Sequence, residues 1–286
     1  MTAVSSQFTV PSRGPLAALR ASISRNEFFA GLYILACANG LLGRVLLTLN
    51  SYGWTGLSNL DISVIVLFAC FAGISTLLQE EGNEIRPADL AVGAVFLILV
   101  ILPIFALSWL AVTGLSLYIL VFANECSARR RGALILFALT VPMLWSRLLF
   151  QFFAEPILAI DASLAAWMLG TARTGNLVGF GDGSGYLVIA PACSFIANTS
   201  LAFLCWISVT QWAKHQWSPM DILWSLLACT AVIAVNVARI ALTGLSQSHY
   251  EAIHGPVGNM VFGAIILALT VGVSVLSARR ELFSRA

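Results

Sequence analysis

The sequence predicts an all-α membrane protein with about eight transmembrane helices and both termini on the cytoplasmic side. Three observations carry this expectation. First, of 286 residues 59% are hydrophobic and only 10% charged, with a mean hydropathy of +0.91, and no soluble domain of ordinary size hides that much apolar surface. Second, apolar stretches recur with short polar gaps from Glu27 to Ser277. Third, when these stretches are counted as spans, Lys and Arg gather on one side of the membrane, as the positive-inside rule requires.

Crossing about 30 Å of hydrocarbon takes roughly 20 helical residues, and the spans fall at 28–48, 61–78, 90–105, 107–124, 132–152, 193–213, 222–242 and 257–277. Residues 1–26 form a polar cytoplasmic tail carrying Arg13, Arg20 and Arg25, 27–278 one membrane domain, and 279–286 a second cytoplasmic tail. The first apolar run is too long for a signal-peptide core and lacks an Ala-x-Ala-like site, so it reads as a retained span. The uncharged run from Leu90 to Asn124 would be about 52 Å long as a single helix. It therefore breaks in two, with Pro103 and Ser108 where the turn falls. Two spans there put Arg86, the Arg129–Arg131 run, Lys214, Arg279, Arg280 and Arg285 on the side of the N-terminal arginines; one span would place Arg129–Arg131 outside.

The same count makes Glu155–Gly170, with Pro156 and Asp161, an interfacial or re-entrant helix on the outer face, within an external segment 153–192. That segment ends in two short β-prone runs around Gly181-Asp182-Gly183-Ser184-Gly185, a hairpin signal that delivers the chain to Cys193.

Candidate chemistry gathers at the outer boundary. Cys37, Cys70, Cys205 and Cys229 lie within spans and Cys126 in a cytoplasmic loop, which leaves Cys193 with no disulfide partner on its own side. A lone cysteine is usually a small buried residue. This one follows Pro191 and opens the sixth span, where free N–H groups and the helix dipole favour a thiolate. Asn236, Arg239, Thr243 and Ser246 form a polar stripe at helical spacing near the outer end of the seventh span. An intramembrane arginine either snorkels to headgroups or faces a partner or wet cavity. His254 precedes the eighth span, and His249 on the same loop is its rival as a base; His215 falls on the cytoplasmic side. Arg44 and Arg147 each sit well into outward-running spans, at the depth of Arg239, either as separate snorkelling residues or as three cations lining one anionic pocket.

Other chemistries find less support. A net charge of +2 with scattered basic residues gives no nucleic-acid patch. No metal-ligand cluster, P-loop or dinucleotide fingerprint stands out, and no cofactor is expected. Glu80-Glu81-Gly-Asn-Glu84-Ile-Arg86 is one residue too long for the Glu-Glu-x-x-x-Arg signature of another intramembrane protease family and reads as a charged cytoplasmic loop.

A cysteine opening a span after a Gly-rich hairpin, then Asn236-x-x-Arg239, then His254-x-x-x-Gly258 before the last span, resembles the exosortase/archaeosortase family over residues 130–275. The resemblance implies a cysteine protease/transpeptidase of the bacterial cytoplasmic membrane with its active site on the external or periplasmic face. Its partners would be exported proteins with a C-terminal sorting tag of the Pro-Glu-Pro type and a membrane lipid or glycan acceptor. Cys193 would be the nucleophile, His254 the general base or acid, and Arg239 the oxyanion stabiliser, with Arg147, Arg44 and Asn236 in substrate binding. The chain departs from the family's Cys-Ser-Gly in having Cys193-Ser194-Phe195, which implies a reshaped pocket. The competing class is a small-molecule or lipid transporter or channel, in which the arginines line a path and Cys193 is incidental.

Overall fold

Helix α1 (Arg25–Tyr52) starts at a capping box: Ser24 Oγ accepts from the Glu27 amide, and Glu27 accepts from the Ser24 amide at 2.7 Å. There follow α2 (Val64–Leu77), α3 (Pro87–Ile101), α4 (Phe105–Phe122) and α5 (Ala128–Thr140). A π-helical turn (Val141–Trp145) joins α5 to α6 (Ser146–Leu169). Then come strands β1 (Arg173–Thr174), β2 (Leu177–Gly179) and β3 (Tyr186–Val188) and a 3₁₀ turn (Pro191–Cys193). Helices α7 (Phe195–Trp212), α8 (Met220–Thr243), α9 (Gln247–His254) and α10 (Pro256–Ser277) complete the chain. The computed structural model describes residues 23–54, 62–80, 83–102, 104–123 and 127–279. Arg13, Arg20, Glu81, Pro103, Cys126, Arg280 and Arg285 lie outside the described residues.

Every apolar stretch read from the sequence holds a helix. Among the described residues five helical stretches, Arg25–Tyr52, Phe105–Phe122, Ala128–Leu169, Met220–Thr243 and Pro256–Ser277, are long and apolar enough to cross a membrane, and Val64–Leu77 and Pro87–Ile101 are shorter apolar helices. Their outward faces carry exposed aliphatic side chains, such as Val95, Ile98 and Ile101 of α3 and Ile222, Leu223 and Leu226 of α8. Apolar surface on that scale belongs against lipid. The core packs Phe29 and Tyr33 of α1 with Val66 and Ala69 of α2, Val112 and Leu115 of α4, Leu136 and Leu139 of α5, and Leu204 of α7.

The expected break between the third and fourth spans is present, but Ser108 does not belong to it. Leu102 leaves the helix in an extended conformation, as the residue before a proline does, and α4 has begun by Phe105. Ser108 lies inside α4, buried, where its hydroxyl accepts from Asn39 Nδ2 at 2.9 Å.

At the end where α1 begins, polar groups bind the helices together. Arg25 pairs with Asp89 at 2.7 Å, and Tyr118 donates to the same carboxylate oxygen at 2.8 Å. Glu80 is exposed, as the sequence suggested, and accepts from the Ala128 amide at 2.7 Å in the first turn of α5, beside the N-cap Ser127. Asn26 donates to the Glu80 carbonyl and accepts from Arg129 Nε.

At the opposite end α6 bends. Phe153 has non-helical torsions (φ −127°, ψ 29°), three residues before Pro156, whose missing N–H leaves the Phe152 carbonyl without its helical donor. The arm beyond the bend is the helix expected over Glu155–Gly170, set off from the first part of α6 by the kink, and it packs under the sheet. Leu158, Ala162, Ala165 and Ala166 meet Val178, Phe180, Leu187 and Ile189, with Ile240 of α8 closing the cluster. The sheet is antiparallel in the order β1-β2-β3, with Val178 opposite Leu187 and Gly179 opposite Tyr186. The hairpin β2–β3 lies where the Gly-rich run predicts, and β1 adds a strand that the sequence reading missed. The hairpin tip docks on the end of α8, with Gly181 N donating to Gly244 O at 2.8 Å.

Helices α2 and α5 approach closely at Gly132. A Cβ there would lie 2.7 Å from Gly73 O and 2.9 Å from Leu77 N, both backbone atoms. Gly132→Ala is therefore expected to cost about 1–3 kcal/mol through forced separation of the helices. A lowered thermal midpoint of the detergent-solubilised protein checks this, and an unchanged midpoint would contradict it.

Candidate functional site

The site lies at the sheet end of the bundle, where the 3₁₀ turn, α7, α8, α9 and α10 converge. Cys193 closes the 3₁₀ turn and sits half-buried beside the cluster under the sheet. Its Sγ is 3.6 Å from Nε2 of His254, 61 residues away at the end of α9, a hydrogen-bonding separation for sulfur. If Nε2 is unprotonated, it can accept the thiol proton.

The residue that opens α7 differs from the sequence expectation. Ser194, not Cys193, is the N-cap, and helical residues begin at Phe195. The first N–H groups of the helix are also taken: Phe195 N donates to Asp161 Oδ1 and Ile196 N to Ser194 Oγ, each at 3.4 Å. Those amides therefore hold the turn in place and do not point at the thiol.

Asn236 is buried, donating from Nδ2 to Cys193 O at 2.8 Å and accepting on Oδ1 from Asn198 at 3.2 Å. Both ends of its amide are engaged by the chain itself, and its Nδ2 holds the Cys193 carbonyl. Arg239, one turn further along α8, donates to Asn259 Oδ1 and lies over the Phe262 ring with 5.7 Å to its centroid. Asn259 Nδ2 in turn donates to the His254 carbonyl at 2.9 Å. Thr243 turns back to donate to Arg239 O at 2.8 Å. Ser246 does not join this stripe, because α8 ends at Thr243; it caps α9 instead.

His254 is fixed on other sides too. Tyr250, four residues earlier on α9, stacks on its ring at 4.4 Å between centroids and 14° between planes. Burial first, and the positive charge of Arg239 second, hold the imidazole below its ordinary pKa, so it is neutral at pH 7. Its Nδ1 is buried with no hydrogen-bond partner among the described residues. His249, the rival, is exposed and has Nδ1 engaged by Ser246 Oγ at 2.8 Å. His215 pairs with Asp221 at 2.9 Å.

Arg44 and Arg147 line one cavity of about 130 Å³ with Pro142, Met143, Ser146, Ala197 and Ser200, and Arg239 is not in its wall. Phe195 lines a larger apolar cavity between α6, α7 and α8. Among the described residues no group of three or more His, Cys, Asp or Glu is arranged to hold a metal ion.

Sequence reading missed four contributors. Tyr250 was legible in principle from its i, i+4 spacing to His254, and Asn259 directly follows Gly258 of the quoted motif. Asp161, fully buried with Oδ2 unpartnered among the described residues, was legible only as a carboxylate in an apolar run. Asn198 carries no local signal. Comparison of the chain with protein-family models, with curated proteins and with solved structures gives no match.

Two outcomes follow. Removing the neighbouring charge in Arg239→Gln should raise the pKa of His254 while leaving it below the ordinary histidine value, since burial is the larger cause. NMR titration of the imidazole, assigned with His254→Gln, checks this, and an unmoved titration would show that the charge does not reach the ring. Gly258 allows the first turn of α10 to sit against the end of α9, since a Cβ there would collide with the carbonyls of Ile253 and Ala252. Gly258→Ala should therefore displace His254 and slow alkylation of Cys193 by iodoacetamide at pH 7; an unchanged rate would mean that the corner tolerates the methyl group.

Proposed function

We propose that the chain is an exosortase-like protein-sorting enzyme, a cysteine protease/transpeptidase that removes the C-terminal tag of exported proteins. The observation that carries this reading is the 3.6 Å approach of Cys193 Sγ to His254 Nε2, between residues 61 positions apart in sequence. Support comes also from Asn236 and Arg239, the two ends of the Asn-x-x-Arg motif, which reach the Cys193 carbonyl and, through Asn259, the His254 carbonyl.

In this reading the chain crosses the bacterial cytoplasmic membrane about eight times, with both termini inside and the sheet end outside. His254 takes the thiol proton as Cys193 attacks the scissile carbonyl. A C–S bond forms, the carbonyl π electrons move to oxygen, and Arg239 stabilises the oxyanion. The C–N bond then breaks, His254 returns the proton to the leaving amine, and the tag departs from a thioester. Water, or a nucleophile on a membrane lipid or glycan acceptor, resolves the thioester and restores the thiol.

Mass spectrometry of the C-terminal peptides of exported membrane proteins tests the reading, comparing cells with the wild-type chain against cells with Cys193→Ala. A set of proteins that keeps its C-terminal helix only in the variant is the expected result, and the shared cut site identifies the tag. Arg239→Gln should slow the cut about 10²–10³-fold. Identical profiles in wild type and Cys193→Ala would refute thiol chemistry.

A further inference from the structure

Strand β3 forms one edge of the sheet, and its register shows which of its backbone groups are used. Phe180 N donates to Gly185 O and Ile189 N to Asn176 O, each at 2.9 Å. With Gly179 opposite Tyr186, Val178 opposite Leu187 and Leu177 opposite Val188, these bonds put residues 185, 187 and 189 in the ladder with β2. Tyr186 and Val188 alternate with them, so their N–H and C=O groups point away from β2. None of these groups has a partner among the described residues.

The edge is also unguarded. The opposite edge of the sheet carries Arg173, whose guanidinium donates to Gly175 O at 3.1 Å. Strand β3 has no charge, no proline and no bulge, the devices that keep an edge from pairing with another chain. Leu187 and Ile189 enter the cluster under the sheet, while Tyr186 and Val188 stand exposed on the outer face.

This edge leads to the thiol. The hairpin tip is tied to the end of α8 by Gly181 N and Gly244 O, and Cys193, five residues beyond Val188, meets His254. Strand β3 and helix α9 both follow the tip contact in their own segments and both lead to the sulfur–imidazole contact. From these observations we infer that β3 is the docking strand for the substrate: the extended backbone of the exported protein beside the scissile bond adds to the sheet, bonding to the free groups of Tyr186 and Val188. The inference rests on the thiol-protease reading above and deepens it. An extended chain brought to a thiol has N–H and C=O groups of its own to satisfy, and a sheet edge offers them matching groups whatever the side chains. Five residues span at most about 17 Å, so the paired stretch lies within about five positions of the cut.

The test uses the full-length protein in cells and those exported proteins whose C-terminal helix is retained with Cys193→Ala. Pulse-chase follows their cutting in cells carrying Tyr186→Pro, Val188→Pro, Tyr186→Ala or Val188→Ala. Proline removes an N–H that does not serve the ladder, a change that edge strands tolerate, whereas alanine keeps it. Each proline variant should slow cutting at least about tenfold, the scale of one or two lost hydrogen bonds. Each alanine variant should cut at least about three times faster than its proline counterpart. Alkylation of Cys193 by iodoacetamide, within about twofold of wild type, would show that the proline leaves the turn in place. A second measurement needs no proline: Tyr186→p-benzoylphenylalanine in the Cys193→Ala protein should photo-crosslink the uncut proteins within about five residues of the cut. No crosslink there overturns the inference, as does wild-type cutting in both proline variants, and either result leaves the thiol reading intact. Equal slowing by alanine and proline would give recognition to the side chains and overturn it too. A wild-type dimer that Val188→Pro makes monomeric, with cutting unchanged, would assign the edge to a second copy of the chain. Identical C-terminal profiles in wild type and Cys193→Ala would refute the thiol chemistry itself, and the inference with it.

Discussion

The arrangement of the site depends on one buried amide. Asn236 sits in the middle of an apolar contact between α7 and α8, where an unbonded amide would cost several kcal/mol. It escapes that cost only when α8 is turned so that Nδ2 reaches Cys193 O and Oδ1 receives Asn198. This fixes the rotation of α8. Arg239, three residues further, then falls on the same helix face at the sheet end, within reach of Asn259 on α10. Asn259 holds the carbonyl of His254, and the ring comes to the sulfur from above the turn that Asn236 anchors. The Cys–His approach is thus the last link of a hydrogen-bonded circuit through four helices.

The opposite end of the bundle uses polar groups differently. There Arg25 and Asp89 are buried as a pair with the half-buried Tyr118 on the same carboxylate, and Glu80, Asn26 and Arg129 cross-link the ends of α1, α2 and α5. A buried ion pair of this kind adds little net stability over apolar packing, but it tolerates no alternative pairing. Its effect is to set which helix ends lie together, which leaves the apolar middle free to pack by shape through Gly73 and Gly132. Both ends are therefore specified by hydrogen bonds, and among the described residues only the sheet end leaves a thiol and an imidazole with each other as partners.

The sequence made depth legible and azimuth illegible. Counting residues from the span ends placed Cys193, Arg239 and His254 at one level, and the helices fall where hydropathy put them because a bilayer sets a fixed length of apolar chain. Which of these groups face one another depends on how each helix is rotated and on the order of helices around the bundle. That is decided by side-chain packing between segments far apart in sequence. Residue counting therefore left a shared pocket for Arg44, Arg147 and Arg239 and three separate arginines equally open, whereas the structure puts Arg44 and Arg147 on one cavity. Nor does a polar stripe on one helix reveal that Asn236 bonds to Asn198 and to the Cys193 carbonyl. Asp161 is a third example: its partner, the Phe195 amide, is 34 residues away and meets it only because α6 bends at Phe153.

The bend also shapes the surroundings of Phe195. The arm of α6 beyond Phe153 carries Asp161 under the start of α7, where the carboxylate receives the Phe195 amide while Ser194 caps the helix. The backbone of the Cys193-Ser194-Phe195 segment is thus held by Asp161, Ser194 and Asn236, and none of these contacts uses the side chain of residue 195. That side chain lines the apolar cavity with Phe152 and Phe153 from the bend itself. In the proposed reading, chemistry and recognition occupy two faces of one helix start. Glycine and phenylalanine at residue 195 would then differ in what the apolar cavity admits, with the sulfur–imidazole approach set on the other face by Asn236.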